Sequence, residues 1–506
     1  MEGAAKANPG RSGLILGISL ALGLLFDYFF FDKFPIGIGF TAYMALVTAA
    51  FFGIAHVAKK PIRGDLLWLF PLLLFFAAMV AVRASMLLTA LNVLACAGLL
   101  LVIMEVRVRG LLRQFVASDF LALLIPFKVI DPLIQSFADL LSMRHFTDSN
   151  RAKQIVRGIL ISIPVLVIFS LLFASADPVF GKYISALIDW NFAEEDIVRI
   201  IAAVVITVGF IAAFSYAFAG VWKPLFAEGD EKRPIGHIET AILLGSVNAL
   251  FLAFIVIQIA YLFGGESNIT AQGYTYAEYA RRGFFELVAV AVLSYLVLVV
   301  TERFIEKNAE NHSRTFKILS SAVIVQVGVI MASAFFRMWL YEEAFGFTTL
   351  RVYVHAFIVL LGFVFACLLY KILVENKDNT FAFRTFLAIV VFIVGMNLFN
   401  PDAFIAKKNL ERYAAMNDLD AEYLAVLSSD ATPAMLSGLS AVEGRAQYEI
   451  GHELYKRMQQ QRPQRWMSWN WSREEERKIL IEEADELRKY ENSPDLVYPA
   501  ANSDEL

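Results

Sequence analysis

The sequence predicts an all-α fold: a polytopic membrane protein of about eleven transmembrane helices with a small helical domain after the last one. Three observations predict it. Of 506 residues, 58% are hydrophobic and only 18% charged, with a mean hydropathy of +0.59, whereas soluble chains carry roughly 25% charge. Apolar runs of about twenty residues, enough to cross about 30 Å of hydrocarbon at 1.5 Å per residue, recur along the chain. From Asn400 onward the composition turns abruptly to Glu, Asp, Lys and Arg.

The runs are Ser12 to Phe31, Ile36 to Val57, Leu66 to Val82, Ser85 to Val106, Gly158 to Ala176, Ile200 to Val221, Ile238 to Phe263, Gly283 to Thr301, Ile318 to Phe336, Val352 to Val374 and Thr385 to Phe399. Helix is the reading for each, because a segment in lipid must satisfy its own backbone and these runs lack the alternation of a barrel strand. The first run is too long for a signal sequence and ends without a small-x-small cleavage site, so it is expected to stay as a span. Phe115 to Ile134 is also apolar, but Asp119, Lys128, Asp131, Pro126 and Pro132 interrupt it. It reads as amphipathic helix in the membrane interface. The expected organisation is four spans in 1–106, an interfacial segment in 107–157, seven spans in 158–399 and a soluble helical domain in 400–506.

Orientation follows from the basic residues. With the N-terminus in the cytoplasm, the inner segments hold Lys59, Lys60, Arg63, Arg107, Arg109, Arg113 and many more, and the outer loops far fewer. This satisfies the positive-inside rule and places the C-terminal domain outside, in the periplasm or at the cell exterior. In that domain apolar residues recur at helical spacing over Phe404 to Met416, Ala421 to Leu427 and Val442 to Met458. Ser472 and Glu475 have the spacing of a capping box for a last helix, with Trp466, Trp469 and Trp471 expected to fill a small core.

Several classes are excluded. A net charge of -4 with no clustered basic face gives no footprint for nucleic acid. The two cysteines, Cys96 and Cys367, lie in apolar runs, and the six histidines have no paired spacing, so no disulfide framework, metal or cofactor is expected. There is no P-loop, GxGxxG, HExxH or GxSxG.

Ionisable groups within spans are the functional candidates, because lipid penalises them. Asp27, Glu286 and His355 sit in the outer halves of their helices, as do Gln258 and Asn397. Three polar segments meet the same side. Tyr276, Glu278, Tyr279, Arg281 and Glu286 cluster before and within one span, with Glu278, Arg282 and Glu286 at i, i+4 spacing. Tyr341, Glu342, Glu343 and Arg351 bracket the next outer turn, with His355 one turn deeper, and Asn400, Pro401 and Asp402 end the last span. An Arg on the outer side runs against the charge bias and needs a partner. Either Glu278, Glu342 and Glu343 neutralise Arg281, Arg282 and Arg351 in a packing network, or the Arg forks hold an anionic group among the tyrosines.

The segments TyrAlaGluTyrAlaArgArgGlyPhePhe at Tyr276 to Phe285, TyrGluGluAlaPheGlyPheThrThrLeuArg at Tyr341 to Arg351 and AsnProAsp at Asn400 to Asp402 resemble an uncharacterised bacterial membrane protein family. Its label is domain of unknown function four-one-seven-three. The resemblance covers roughly Asp177 to Arg412 and implies a multi-span protein with no established activity. Its pattern falls here on Tyr276, Tyr279, Arg281, Gly283, Phe284, Tyr341, Gly346, Thr348, Arg351, Asn400 and Asp402, without Arg282 and Glu286.

The expected function is binding of an anionic small molecule or lipid headgroup at this outward cluster, by a carrier or a sensory or scaffolding subunit of the bilayer. One alternative is a transferase acting on a lipid-linked substrate from the outer face, with Asp27 or Asp32 as its acid, although the first outer loop is short for an acceptor site. The other is a structural ion-pair network without a ligand.

Overall fold

A computed structural model describes residues 9–31, 35–116, 119–120, 194–219, 236–263, 284–304, 310–375, 377–416 and 419–492. Every regular element among them is a helix. The apolar runs become α1 (Pro9–Phe30), α2 (Ile38–Val57), α3 (Leu66–Val82), α4 (Met86–Arg109), α5 (Glu194–Ala219), α6 (His237–Phe263), α7 (Phe284–Phe304), α8 (Glu310–Phe345), α9 (Thr349–Tyr370) and α10 (Asp378–Phe399). Eight of the described helices are long and apolar enough to cross a membrane, and Leu66–Val82 is a shorter apolar helix. The protein is a multi-pass membrane protein. The expected span Gly158 to Ala176 and the greater part of the interfacial segment, apart from 107–116 and 119–120, lie outside the described residues.

Burial divides the helices into two packed groups. One core joins α1 to α5 through Val47, Ile54, Leu69, Leu73, Phe76, Ile103 and Phe214, and Ile393 of α10 closes it. The other joins α6 to α9 through Leu244, Ala291, Leu298, Val327, Ile330 and Leu368. Many side chains outside these cores are large and exposed, such as Leu94, Leu250 and Val391. That is the arrangement expected where lipid, not water, surrounds the helices. At its far end α9 continues as a single π turn, Lys371–Glu375, where buried Lys371 reaches Glu302 of α7 at 2.7 Å and Asp378 of α10 at 2.6 Å.

After Phe399 the chain turns within one residue into α11 (Pro401–Met416), followed by α12 (Ala421–Ala425), α13 (Thr432–Gly438), α14 (Gly444–Gln460), α15 (Trp471–Glu482) and α16 (Ala484–Leu487). Leu424, Met435, Ile450, Leu454 and Leu480 form the core of this tail, and Val352 of α9 belongs to it. Arg457 ties the tail together internally: Nη2 donates to the carbonyls of Ala425 (2.6 Å) and Leu427 (2.8 Å), and Nη1 lies 3.2 Å from Glu476.

The tail is also fastened to the loops at one end of the bundle, called here the tail side. The Ile38 amide donates to the Trp469 carbonyl at 2.8 Å. Asn470 Nδ2 donates to the carbonyls of Val80 (3.1 Å) and Arg83 (2.9 Å), and Arg473 Nη2 to that of Ile36 (3.0 Å). Met467 enters the first membrane core. A Cβ at Gly37 would stand 2.2 Å from the Trp469 carbonyl oxygen, so only glycine lets the tail seat here.

Two local expectations are corrected. Asn470, not Ser472, caps α15, accepting from the Arg473 amide at 3.2 Å, because the Ser472 hydroxyl faces Val82 and Asp430 instead. Trp466 and Trp471 are exposed and contribute no core; Trp466 packs edge-on against Phe29 of α1 at 5.7 Å.

Candidate functional site

The α8–α9 turn carries five of the expected site residues. With 36 residues, α8 runs to roughly 54 Å at 1.5 Å per residue, longer than the hydrocarbon is thick. It ends at Gly346, whose φ of +76° is a left-handed conformation. Asn409 of α11 clamps the turn, accepting from the Phe347 amide (2.7 Å) and donating to the Phe347 carbonyl (2.8 Å).

Arg351, in the first turn of α9, reaches back over this turn. Its guanidinium donates to the carbonyls of Gly346 and Phe345 and lies 4.1 Å from the centre of the Tyr341 ring. A cation at the carbonyl end of a helix and on an aromatic face is stabilised twice over. No carboxylate pairs with Arg351 among the described residues. Glu342, nine residues before it, is buried and turned to His355, whose Nδ1 is 3.1 Å from Oε2. The other ring nitrogen of His355 is 3.1 Å from the Phe335 carbonyl, and Glu342 Oε1 is buried without a hydrogen-bond partner. Glu343 is exposed, and only its backbone carbonyl is used, by Arg412 Nε at 3.0 Å.

Asn400 and Asp402 build a second cluster at the α10–α11 corner. Asn400 takes a left-handed φ of 54° and closes α10, Pro401 opens α11 where a missing N–H costs nothing, and Asp402 sits in the first turn. Asp402 is buried; its Oδ2 accepts from the Ser428 hydroxyl (2.6 Å) and amide (3.2 Å), while Oδ1 has no partner. Burial raises its pKa above the ordinary carboxylate value, against the opposing hydrogen bonds from Ser428. Beside it, Asp430 Oδ2 accepts from the amides of Ala84 (2.7 Å) and Ser85 (2.9 Å), and Oδ1 from the Ser472 hydroxyl (2.5 Å). Arg83 stands 3.7 Å from Asp430 and donates through Nε to the Asn397 carbonyl at 2.8 Å. Asn397 and Asn92 then exchange amide hydrogen bonds, both 2.8 Å, within the spans.

The sequence did not assemble this second cluster. Asn397 stands out in the sequence only as a polar residue within a span, and nothing in the spacing joins it to Arg83 or Asp430. The readable signal was Asn92, an amide in the run Met86 to Val106.

Glu286 is exposed in the first turn of α7, without a hydrogen bond or ion pair among the described residues. Tyr276, Glu278, Tyr279 and Arg281 lie outside the described residues, as do Arg282 and Asp32. Asp27 is held by Arg199 of α5 in a bidentate pair with both contacts at 2.8 Å. Among the described residues no group of three His, Cys, Asp or Glu could hold a metal ion.

A family model described as Domain of unknown function (DUF4153) matches residues 70–438. The chain belongs to this family. The kind of family is the one the signature segments resemble; its label is DUF4153 and not four-one-seven-three. The match runs from α3 to the end of α13, so both polar clusters fall within the DUF4153 region. Asn470 and Ser472, which fasten the tail, lie beyond it, as do α1 and α2. No curated protein and no solved structure matches the chain.

Proposed function

We propose that this DUF4153 protein binds an anionic or polar ligand at the tail-side end of its membrane bundle, around Arg351 and Tyr341, as a carrier or a sensory or scaffolding subunit. The observation that carries this reading is the state of Arg351. Its guanidinium is satisfied by carbonyls and a ring, while the buried acid expected to neutralise it is engaged by His355. A packing network would have paired the two charges; a binding site leaves the fork able to take a carboxylate, a phosphate or a lipid headgroup. On the charge bias of the loops the tail side faces outward, the N-terminus is cytoplasmic and the spans number about eleven.

Thermal stability of the purified protein tests the reading, with inorganic phosphate, succinate and phosphatidylglycerol nanodiscs as three separate probes. At least one should stabilise the wild-type protein, and Arg351→Ala should abolish that gain. Arg351→Lys should restore only part of it, because an ammonium cannot form the planar fork. Stabilisation by none of the three, or equal stabilisation of Arg351→Ala, overturns the reading.

A further inference from the structure

Buried side-chain polar atoms without a protein partner gather on one pair of packed helices, α6 and α8. Their apolar contacts recur at helical spacing, with Leu244 and Ile255 on α6 and Val323, Val327, Ile330 and Ala334 on α8. Set among them are Asn248 and Gln258 on α6, and Ser320, Ser321, Gln326 and Ser333 on α8. Asn248 Nδ2 donates to the Leu319 carbonyl (3.0 Å) and Gln326 Nε2 to the Asn248 carbonyl (3.3 Å), which stitches the two helices together. The remaining amide atoms, Asn248 Oδ1, Gln326 Oε1 and Gln258 Nε2, are buried and find no hydrogen bond in the protein, and neither do the three serine hydroxyls.

A hydroxyl in a helix can bond back to the carbonyl four residues earlier, as Thr48 of α2, Ser246 of α6 itself and Ser294 of α7 do at 2.9, 2.7 and 2.6 Å. Outside this helix pair, the buried serine and threonine hydroxyls without a partner among the described residues, Ser19 of α1 and Thr385 of α10, stand one to a helix. In a medium without water, every polar atom left unmade costs free energy that an alanine or leucine would avoid. Six such residues on two facing helices therefore mark a seam that meets a polar occupant.

The seam has the length of a passage. From Ser320 to Tyr341 the rise is about 32 Å at 1.5 Å per residue, the thickness of the hydrocarbon core. Gln326, Ser333, Arg337 and Tyr341 follow one another at spacings of seven, four and four residues, which keeps them on one helix face. Arg337 is buried there and places a positive charge along the stripe. The last member, Tyr341, is the ring on which Arg351 rests.

We propose that the α6–α8 seam holds a file of water that opens beside Arg351 and is the route by which the anion bound there crosses the membrane. This rests on the anion-binding reading of Arg351 and selects a carrier over a scaffold. Amides and hydroxyls both donate and accept, so they replace a hydration shell without fixing the solute in place.

The test is labelling in sealed vesicles with an anionic, membrane-impermeant methanethiosulfonate, after replacing Cys96 and Cys367 by Ala. The thiol must ionise in water to react, so Gln326→Cys and Ser333→Cys should label at least about tenfold faster than the lipid-facing controls Val325→Cys and Val329→Cys. Equal rates would overturn the file. Hydroxyl-radical footprinting of the unmodified protein needs no variant: Met331 and Met338 on α8 should oxidise faster than the comparably buried Met44 and Met104. Equal oxidation would overturn it as well. Neither readout involves Arg351. Labelled seam positions with phosphate stabilisation indifferent to Arg351→Ala would refute the anion site alone, and the reverse result would refute the file alone.

Discussion

Replacing Asp430 by Ala should release the tail from the membrane bundle. Its side chain is fully buried and serves partners on two sides: the amides of Ala84 and Ser85 in the α3–α4 turn, with Arg83 3.7 Å away, and in the tail the hydroxyls of Ser428 (3.3 Å) and Ser472. A hydrogen bond to a charged acceptor is worth about 1.5–3 kcal/mol, so losing the two amide bonds costs about 3–6 kcal/mol, which overlaps the roughly 3–5 kcal/mol seen when a buried charge loses its partner. Asp430→Asn should cost far less. Its carboxamide oxygen can keep the two amides, and its Nδ2 can donate to Ser472 Oγ, which is then free to give its own proton to the Val82 carbonyl at 2.9 Å. The assay is hydrogen exchange at the α15 amides around Leu480, which do not touch Asp430. At 1.36 kcal/mol per decade the Ala variant should speed their exchange by about two to four orders of magnitude, and the Asn variant by about one or less. Unchanged exchange in Asp430→Ala, or equal acceleration by both variants, would refute the argument.

Three further outcomes follow from the same end of the molecule. Asp402 has a folded pKa above its unfolded value, so the folded state binds the proton more tightly; this stabilises at low pH and is lost as pH rises from about 4 through the raised value. A melting-temperature profile should therefore fall with rising pH across that window, under the influence of the neighbouring Asp430, Arg83 and Tyr353, and Asp402→Asn should flatten the slope; an identical slope in the variant would count against it. The Asn92–Asn397 pair should show a coupling of about 1–2 kcal/mol in a double-mutant cycle of Asn→Ala changes measured by unfolding in detergent, at the upper end for polar pairs in membranes. Additive single losses would show no direct coupling. Gly37→Ala should accelerate exchange at Trp469 and Asn470, because the new methyl displaces the Trp469 carbonyl, and protection equal to wild type would contradict that.

The spans were legible because they rest on the one signal lipid makes strong: an uninterrupted apolar run must be helical and about twenty residues long. Leu66–Val82 was placed to the residue. Part of the site was legible for the same reason, since His355 is an ionisable group within an apolar run, with Glu342 in the polar segment just before it. What the sequence could not supply was the pairing. Glu342 has Arg351 within reach by spacing, and only the fold shows it turned inward to His355 while Arg351 bends back over the helix end. The tail reads as a soluble helical domain because its composition changes at Asn400. Its fastening depends on Asp430, Asn470 and Met467, single residues whose partners lie hundreds of positions away and leave no periodic trace.

The α10–α11 corner has a mechanical consequence. Because Asn400 turns the chain in a single left-handed step and Pro401 begins the next helix at once, no slack separates the last span from the tail. α11 is clamped to the α8–α9 turn by Asn409 and held to the rest of the tail through Asp402 and Ser428. Any tilt of α10, such as a thinner bilayer imposes, is thus geared directly into the turn that carries Arg351. The corner works as a crank, making the thickness of the surrounding membrane an input to the tail-side surface.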